Sequence, residues 1–237
     1  MLLLLAACEP ISPEEQARLR GESPPAAAAP PAAASAATAT TAAAPLGAAA
    51  DLKPAPSIGP DGFRDDFNRA DLGADWFVTG GEYRIQSGQL FTRATGNHGL
   101  WLRRTLPRNV RIEFTVRAEG AGADIKLEVF GDGQSPTPTS GYIVIFGGWG
   151  NTLNVVARLN EIGADRAIGP SRPIVKGKTY RMRIERRGKL LEVFADDELL
   201  VRLDDPKPLE GPGHEFFAFS GWQSELWYDE LVITPLR

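Results

Sequence analysis

Two histidines, His98 and His214, and one cysteine, Cys8, are all that the chain offers toward thiol or soft-metal chemistry. A multi-histidine metal centre needs more ligands than these, and a lone cysteine builds no disulfide framework. Carboxylates are plentiful at 30 Asp and Glu. Glycoside hydrolysis would need two of them facing each other across a cleft, about 5 Å apart for retention and further for inversion. The nearest pairs by spacing are Glu225 with Asp229 and Glu192 with Asp196. Asp196 falls in the turn-like string Ala195-Asp196-Asp197-Glu198, where Asp serves turn geometry. Ser220 precedes Gly221, but no nucleophile elbow surrounds it. No catalytic set assembles from these residues.

Binding a sugar asks for less chemistry. A flat aromatic face stacks on the apolar side of a sugar ring while amides, charges and backbone groups meet its hydroxyls. The densest such constellation is Phe146-Gly147-Gly148-Trp149-Gly150-Asn151 followed by Asn154 and Arg158. Its glycines let a backbone approach a ligand, and Trp149 is hard to bury amid so much Gly. Trp222, in Ser220-Gly221-Trp222-Gln223, stands in a similar setting, and His98, in Gly96-Asn97-His98-Gly99, is a further candidate. Each has a structural alternative: either Trp can plug an end of the fold, and His98 can be a satisfied loop residue. An open groove at Phe146 to Arg158 would favour a ligand; a filled groove beside a broad exposed apolar patch would favour a protein partner.

The elements that must position these residues are strands. In Val110-Arg111-Ile112-Glu113-Phe114-Thr115-Val116-Arg117 the apolar residues alternate with polar ones, and Tyr180 to Arg186 and Asp124 to Phe130 do the same. Further strands are expected at 82–85, 89–92, 99–103, 142–146, 152–158, 190–195, 199–203, 215–219 and 226–233, punctuated by Ser87-Gly88, Arg187-Gly188 and Gly-Pro pairs. No amphipathic helix of ordinary length occurs after Phe63. Charges interleaved around Arg181 and Arg183 read as cross-strand pairs on a solvated face. All 20 aromatic residues lie at or after Phe63, so one core of about 180 residues is expected at 58–237, an all-β two-sheet antiparallel sandwich of the jelly-roll kind.

The strings Phe63-Arg64-Asp65-Asp66-Phe67-Asn68 and Gly80-Gly81-Glu82-Tyr83-Arg84-Ile85, the hairpin Tyr180-Arg181-Met182 to Glu198-Leu199 and the ending Trp227-Tyr228-Asp229-Glu230-Leu231 resemble the concanavalin A-like lectin/glucanase superfamily. That superfamily includes lectins, laminin-G-like modules and glycosidases, so the resemblance implies a fold and leaves the reaction open. Its glucanases carry Glu-x-Asp-x-x-Glu along one strand face, a spacing absent here. Alternation places Asp229 beside Leu231 and Ile233 on the apolar side, where a carboxylate needs a partner. The resemblance implies a structural calcium ion between Asp229 and Asp65 or Asp66 at the start of the domain, and calcium suits such oxygen ligands, with backbone donors or an Arg as the alternative partners of Asp229.

Residues 26–50 hold 16 Ala and nothing charged or large. Residues 9–57 therefore read as a disordered Ala/Pro-rich tether. Ahead of it, Leu5-Ala6-Ala7-Cys8 resembles the lipobox of bacterial lipoproteins, which implies cleavage before Cys8, its lipidation and a membrane anchor. The charged n-region such a signal carries is missing, which implies a start upstream of Met1. The net charge of −4 disfavours nucleic acid as a partner. The expectation is a monomeric, lipid-anchored cell-envelope protein that binds a glycan or envelope polysaccharide without catalysis. The alternatives are a sugar hydrolase resembling 3-keto-disaccharide hydrolase or glucanase jelly rolls, and a structural or protein-interaction module of an envelope complex.

Overall fold

Fifteen strands, β1 to β15 in chain order, build the computed structural model, which describes residues 55–120 and 124–237. Cys8 and the expected tether at 9–57, apart from its last three residues, lie outside the described residues.

One sheet holds β1 (Phe63–Asp65), β3 (Glu82–Gln86), β4 (Gln89–Arg93), β6 (Val110–Ala118), β11 (Thr179–Arg187), β12 (Leu190–Ala195), β13 (Glu198–Asp204) and β15 (Glu225–Pro235). Their order is β13-β12-β11-β6-β15-β4-β3, with β1 also paired to β15. The other sheet holds β2 (Trp76–Val78), β5 (Leu100–Leu102), β7 (Ile125–Gly131), β8 (Tyr142–Gly147), β9 (Leu153–Arg158), β10 (Ala167–Ile168) and β14 (Phe216–Gly221), in the order β10-β9-β8-β7-β14-β5-β2. All these pairings are antiparallel. The expected two-sheet sandwich is thus the observed one, and the short turn Gly148–Asn151 is its only helical piece among the described residues.

Alternation explains the core. Val110, Ile112, Phe114 and Val116 of β6 and Tyr180, Met182 and Ile184 of β11 all point into the gap between the sheets. There Phe219 meets Tyr228 at 4.4 Å, Phe217 at 4.9 Å and Phe114 at 5.5 Å between ring centroids. The opposite face of β6 and β11 carries the expected charge ladder, with Arg111 and Arg183 both bonded to Glu185.

The seven-stranded sheet departs from that pattern, because its central strands are buried on both faces. Ile125, Leu127 and Val129 of β7 face the main core, yet the outward Lys126 and Glu128 are only 3% and 1% exposed. On β8 and β9 the outward Ile143, Ile145, Val155 and Ala157 form a second small apolar cluster. Strand register arranges the outer face in rows. One row runs Trp101, Ala218, Glu128, Ile143, Ala157, and the next runs Ser220, Lys126, Ile145, Val155, Ile168.

The segment 132–140 roofs part of the first row. Ser135 O accepts from the Trp101 indole, Pro136 O accepts from Gly99 N, and Glu128 Oε1 accepts from Ser140 N, Ser140 Oγ and Gly141 N. Part of the second row is left open.

At the other end of the domain, pairing begins slightly ahead of the expected boundary. Pro56 O accepts from Thr105 N, and Ile58, nearly buried, donates to Thr105 O.

Candidate functional site

The open part of the second row is the floor of a groove of about 550 Å³, lined by Asn97, Asp124, Lys126, Ile145, Glu161 and Gln223, with Trp149 and Trp222 at its walls. These tryptophans are 42% and 49% exposed.

Trp149 stands on an unusual piece of backbone. Gly147, Trp149, Gly150 and Asn151 have φ of 75°, 50°, 69° and 66°, so the chain here winds left-handed. Gly accepts this freely and Asn tolerates it, but for Trp it costs on the order of 1–2 kcal/mol. Neighbouring side chains impose the shape. Asn151 grips Ile174 with a two-pronged bond, its Oδ1 accepting from Ile174 N at 2.7 Å and its Nδ2 donating to Ile174 O at 2.8 Å. Thr152 Oγ1 donates to Trp149 O, and Asn154 Oδ1 accepts from Gly147 N. The Arg166 guanidinium lies 5.0 Å from the centre of the Trp149 ring and supports it from one side. Strain kept in place by so many partners is characteristic of functional loops.

Trp222 sits in the turn between β14 and β15. Its carbonyl accepts from Gly96 N, Gly221 O accepts from Asn97 N, and Thr95 Oγ1 also donates to Gly221 O. These bonds tie the turn to the segment that carries Asn97.

Between the two walls lies a buried charge cluster. Lys126 Nζ donates to Asn97 Oδ1 and Glu161 Oε2, each at 2.8 Å, and lies 3.9 Å from Asp124 Oδ2. Asp124 Oδ1 is shut from solvent and has no hydrogen-bond partner among the described residues. Burial pushes the Asp124 carboxyl up to about 6, with Lys126 opposing and Glu161 adding to the rise.

The structure thus brings together only part of the expected sugar-contacting set. Trp149 and Trp222 line one groove. Asn151 and Asn154 are spent on holding the Trp149 loop; Asn154 is buried, with its Nδ2 donating to Pro170 O and Arg172 O. Asn154, Val156 and Arg158 alternate onto the inward face of β9, and Arg158 bonds Asp205, which also accepts from the Tyr142 hydroxyl. His98 packs against Gly80, where a Cβ would lie 2.5 Å from its ring, and its Nδ1 bonds Thr95 O. Asn97, Asp124, Lys126 and Glu161 were not anticipated. They come from three segments, and the outward position of Lys126 on a sheet face is their one trace in the sequence.

Contrary to the expectation from strict alternation, Asp229 is not on the apolar side. A register shift between Asp229 and Val232, with Glu230 at φ 53°, turns the strand by one residue, so Tyr228 and Leu231 both face the core. Asp229 accepts from Gln89 Nε2 and Glu230 N, while Asp66 accepts from Asn68 N. Among the described residues no group of three or more His, Cys, Asp or Glu could hold a metal ion. Asp66 and Asp229 thus belong to no such group.

A larger concavity of about 880 Å³ lies over the eight-stranded sheet, beside the Glu230 bulge. Among its polar walls, Asp65 is paired with Arg69 and the Trp76 indole, and Asp75 with Arg104. Its ring, Phe63, lies under the Arg104 guanidinium at 5.2 Å. It offers no open aromatic face, so the groove between the tryptophans is the better candidate.

No protein-family model matches the chain. No curated protein matches it either. Solved structures do. Carbohydrate-binding module CBM66 from Bacillus subtilis is 15% identical, with 68% of this chain and 95% of that chain covered and a TM-score of 0.52. A Bacillus subtilis protein of unknown function with a galectin-like fold is 13% identical over 73% of this chain and 94% of that chain, with a TM-score of 0.52. A structure described with endo-acting O-glycanases of the human gut microbiota that initiate mucin breakdown is 13% identical over 74% and 99% of the two chains, with a TM-score of 0.57. At such identities the likeness shows the fold.

Proposed function

We infer that the domain binds carbohydrate, without catalysis, in the groove between Trp149 and Trp222. The observation that carries this reading is two half-exposed tryptophans lining one groove over a polar floor, which is what sugar stacking with hydroxyl recognition requires. The similar fold of a carbohydrate-binding module and of a galectin-like protein supports it. Hydrolysis is the weaker reading. Asp124 and Glu161 would be the carboxylate pair, but the Lys126 ammonium stands between them, where a scissile bond would have to lie.

On this reading the Leu5-Ala6-Ala7-Cys8 string anchors the chain through a lipid on Cys8, and the domain works in the bacterial cell envelope on a glycan or envelope polysaccharide. Cys8→Ser should move the protein from membranes to the soluble fraction; equal membrane retention would refute the anchor. For the groove, the full chain is applied to a printed array of oligosaccharides. Trp149→Ala and Trp222→Ala should each lower retention on the bound spots tenfold or more, a loss of about 1.4 kcal/mol, with the fold intact by circular dichroism. Unchanged retention in both variants would refute the site.

A further inference from the structure

The floor of the groove contains a donor and an acceptor that stacking on the tryptophans leaves unused. An ammonium carries three N–H donors. Lys126 gives two of them to Asn97 Oδ1 and Glu161 Oε2, at 2.8 Å each. The next acceptor is Asp124 Oδ2 at 3.9 Å, too far for a hydrogen bond. On the other side of that gap Asp124 is equally under-used: among the described residues its Oδ1 has no partner, and it makes no hydrogen bond to Lys126 through Oδ2.

Oδ1 is shut from solvent, so Oδ2 is the oxygen of Asp124 left to meet a ligand. At 3.9 Å the two atoms are close enough for one oxygen to bridge them from the groove side, about 2.8 Å from each. A hydroxyl placed between Nζ and Oδ2 would accept from the first and donate to the second at ordinary distances, whereas an anion would meet Asp124. Charge points the same way. Among the described residues Lys126 is the only cation on the floor of the groove, its nearest anion is Glu161, and Asp124 is a second, while Arg166 stands behind the Trp149 wall. The floor therefore carries one positive charge against two negative ones, which disfavours a carboxylate or sulfate seated there.

Resting on the reading of the groove as a sugar site, we propose that Lys126 Nζ and Asp124 Oδ2 seat one hydroxyl of the bound sugar, so that the groove takes neutral sugars and turns away uronic, sialic and sulfated ones. Glu161 and Asn97 are positioning residues in this scheme, holding the ammonium in place.

The test uses the full chain on an array of matched neutral and acidic oligosaccharides at pH 7.5, with Asp124→Asn, Glu161→Gln and Trp149→Ala alongside. The retained spots should be neutral. Asp124→Asn should lose retention tenfold or more while its melting temperature stays level or rises, because the variant removes a buried carboxylate with a missing partner. That opposite movement of binding and stability would not come from a merely structural residue. Glu161→Gln should admit acidic spots that the parent rejects.

Retained spots that depend on Trp149 but are indifferent to Asp124→Asn, or that are mainly acidic, would overturn this inference and leave the groove as the site. Retention of nothing by the parent, or retention untouched by Trp149→Ala, would overturn both.

Discussion

Raising the pH from 5 to 8 should destabilise this fold, and Glu128 is the place to measure it. Glu128 is 1% exposed on the outer face of β7, beneath the 132–140 segment. Burial pushes its carboxyl up to about 7, with Asp132 adding to the rise and the three bonds from Ser140 and Gly141 only partly offsetting it. The folded pKa lies above the unfolded value of 4.5, so the folded state holds the proton more tightly. Its contribution is complete below about pH 4.5 and is lost as pH climbs through 7. At 1.36 kcal/mol per unit the loss is roughly 3 kcal/mol. Asp124, raised from 3.8 to about 6, adds a loss of similar size over the interval below pH 6.

Opposing groups act at lower pH. Against the effect of burial, bonds from Arg69, Ser135, Arg183 and Lys178 hold Asp65, Asp132, Glu185 and Asp196 below their ordinary values. Their contributions vanish as pH falls below about 4, so stability should peak near pH 5. Urea unfolding of the full chain at half-unit steps from pH 3.5 to 8.5 measures the profile. Glu128→Gln should flatten the alkaline side by about half. A parent whose stability climbs steadily from pH 5 to 8, or a variant with an unchanged alkaline slope, would refute the account.

Three further outcomes follow from the same geometry. Asn151→Ala removes the grip on Ile174 and should lower array retention severalfold by freeing the Trp149 loop, while Trp149 itself is untouched; full retention would show that the loop holds its shape without Asn151. Phe114→Ala should cost roughly 3–5 kcal/mol in urea unfolding, whereas Trp149→Ala should cost far less because the ring is 42% exposed; equal losses would make Trp149 a core plug. Retention on neutral glycans should weaken as pH falls through about 6, where Asp124, facing Lys126, Glu161 and Tyr228, takes up a proton and becomes a weaker, uncharged acceptor; a flat profile from pH 5 to 8 would exclude that role.

The sandwich is legible in the sequence because β6 and β11 have one face in the core and one in water, and their residues alternate accordingly. The same rule misleads at β7. Lys126 and Glu128 look like ordinary solvated positions, but segments 35 and 12 residues further along, at Glu161 and Ser140, and a loop from Asn97 close over them, and nothing local records that. Trp149 and Trp222 stand out in the sequence because Gly neighbours signal an open backbone, while the polar floor between them exists only after three segments meet. Asp229 was misplaced for a smaller reason. One extra residue at Glu230 reverses the phase of the last strand, and a bulge of that kind leaves the hydrophobic pattern on either side intact.

The roof over the first outer row also sets a length limit. Trp222 and Trp149 sit at the ends of strands separated by β7, about 10 Å apart at ordinary strand spacing, which is the reach of a disaccharide. Beyond that, a longer chain laid toward the neighbouring row would meet the 132–140 segment, under which Trp101 lies almost wholly covered. Shortening that segment would uncover a third indole and turn a two-unit seat into a trench. Changes in one loop between β7 and β8 could therefore move a domain of this kind from reading the tip of a glycan to following its length, with the sheet beneath unaltered.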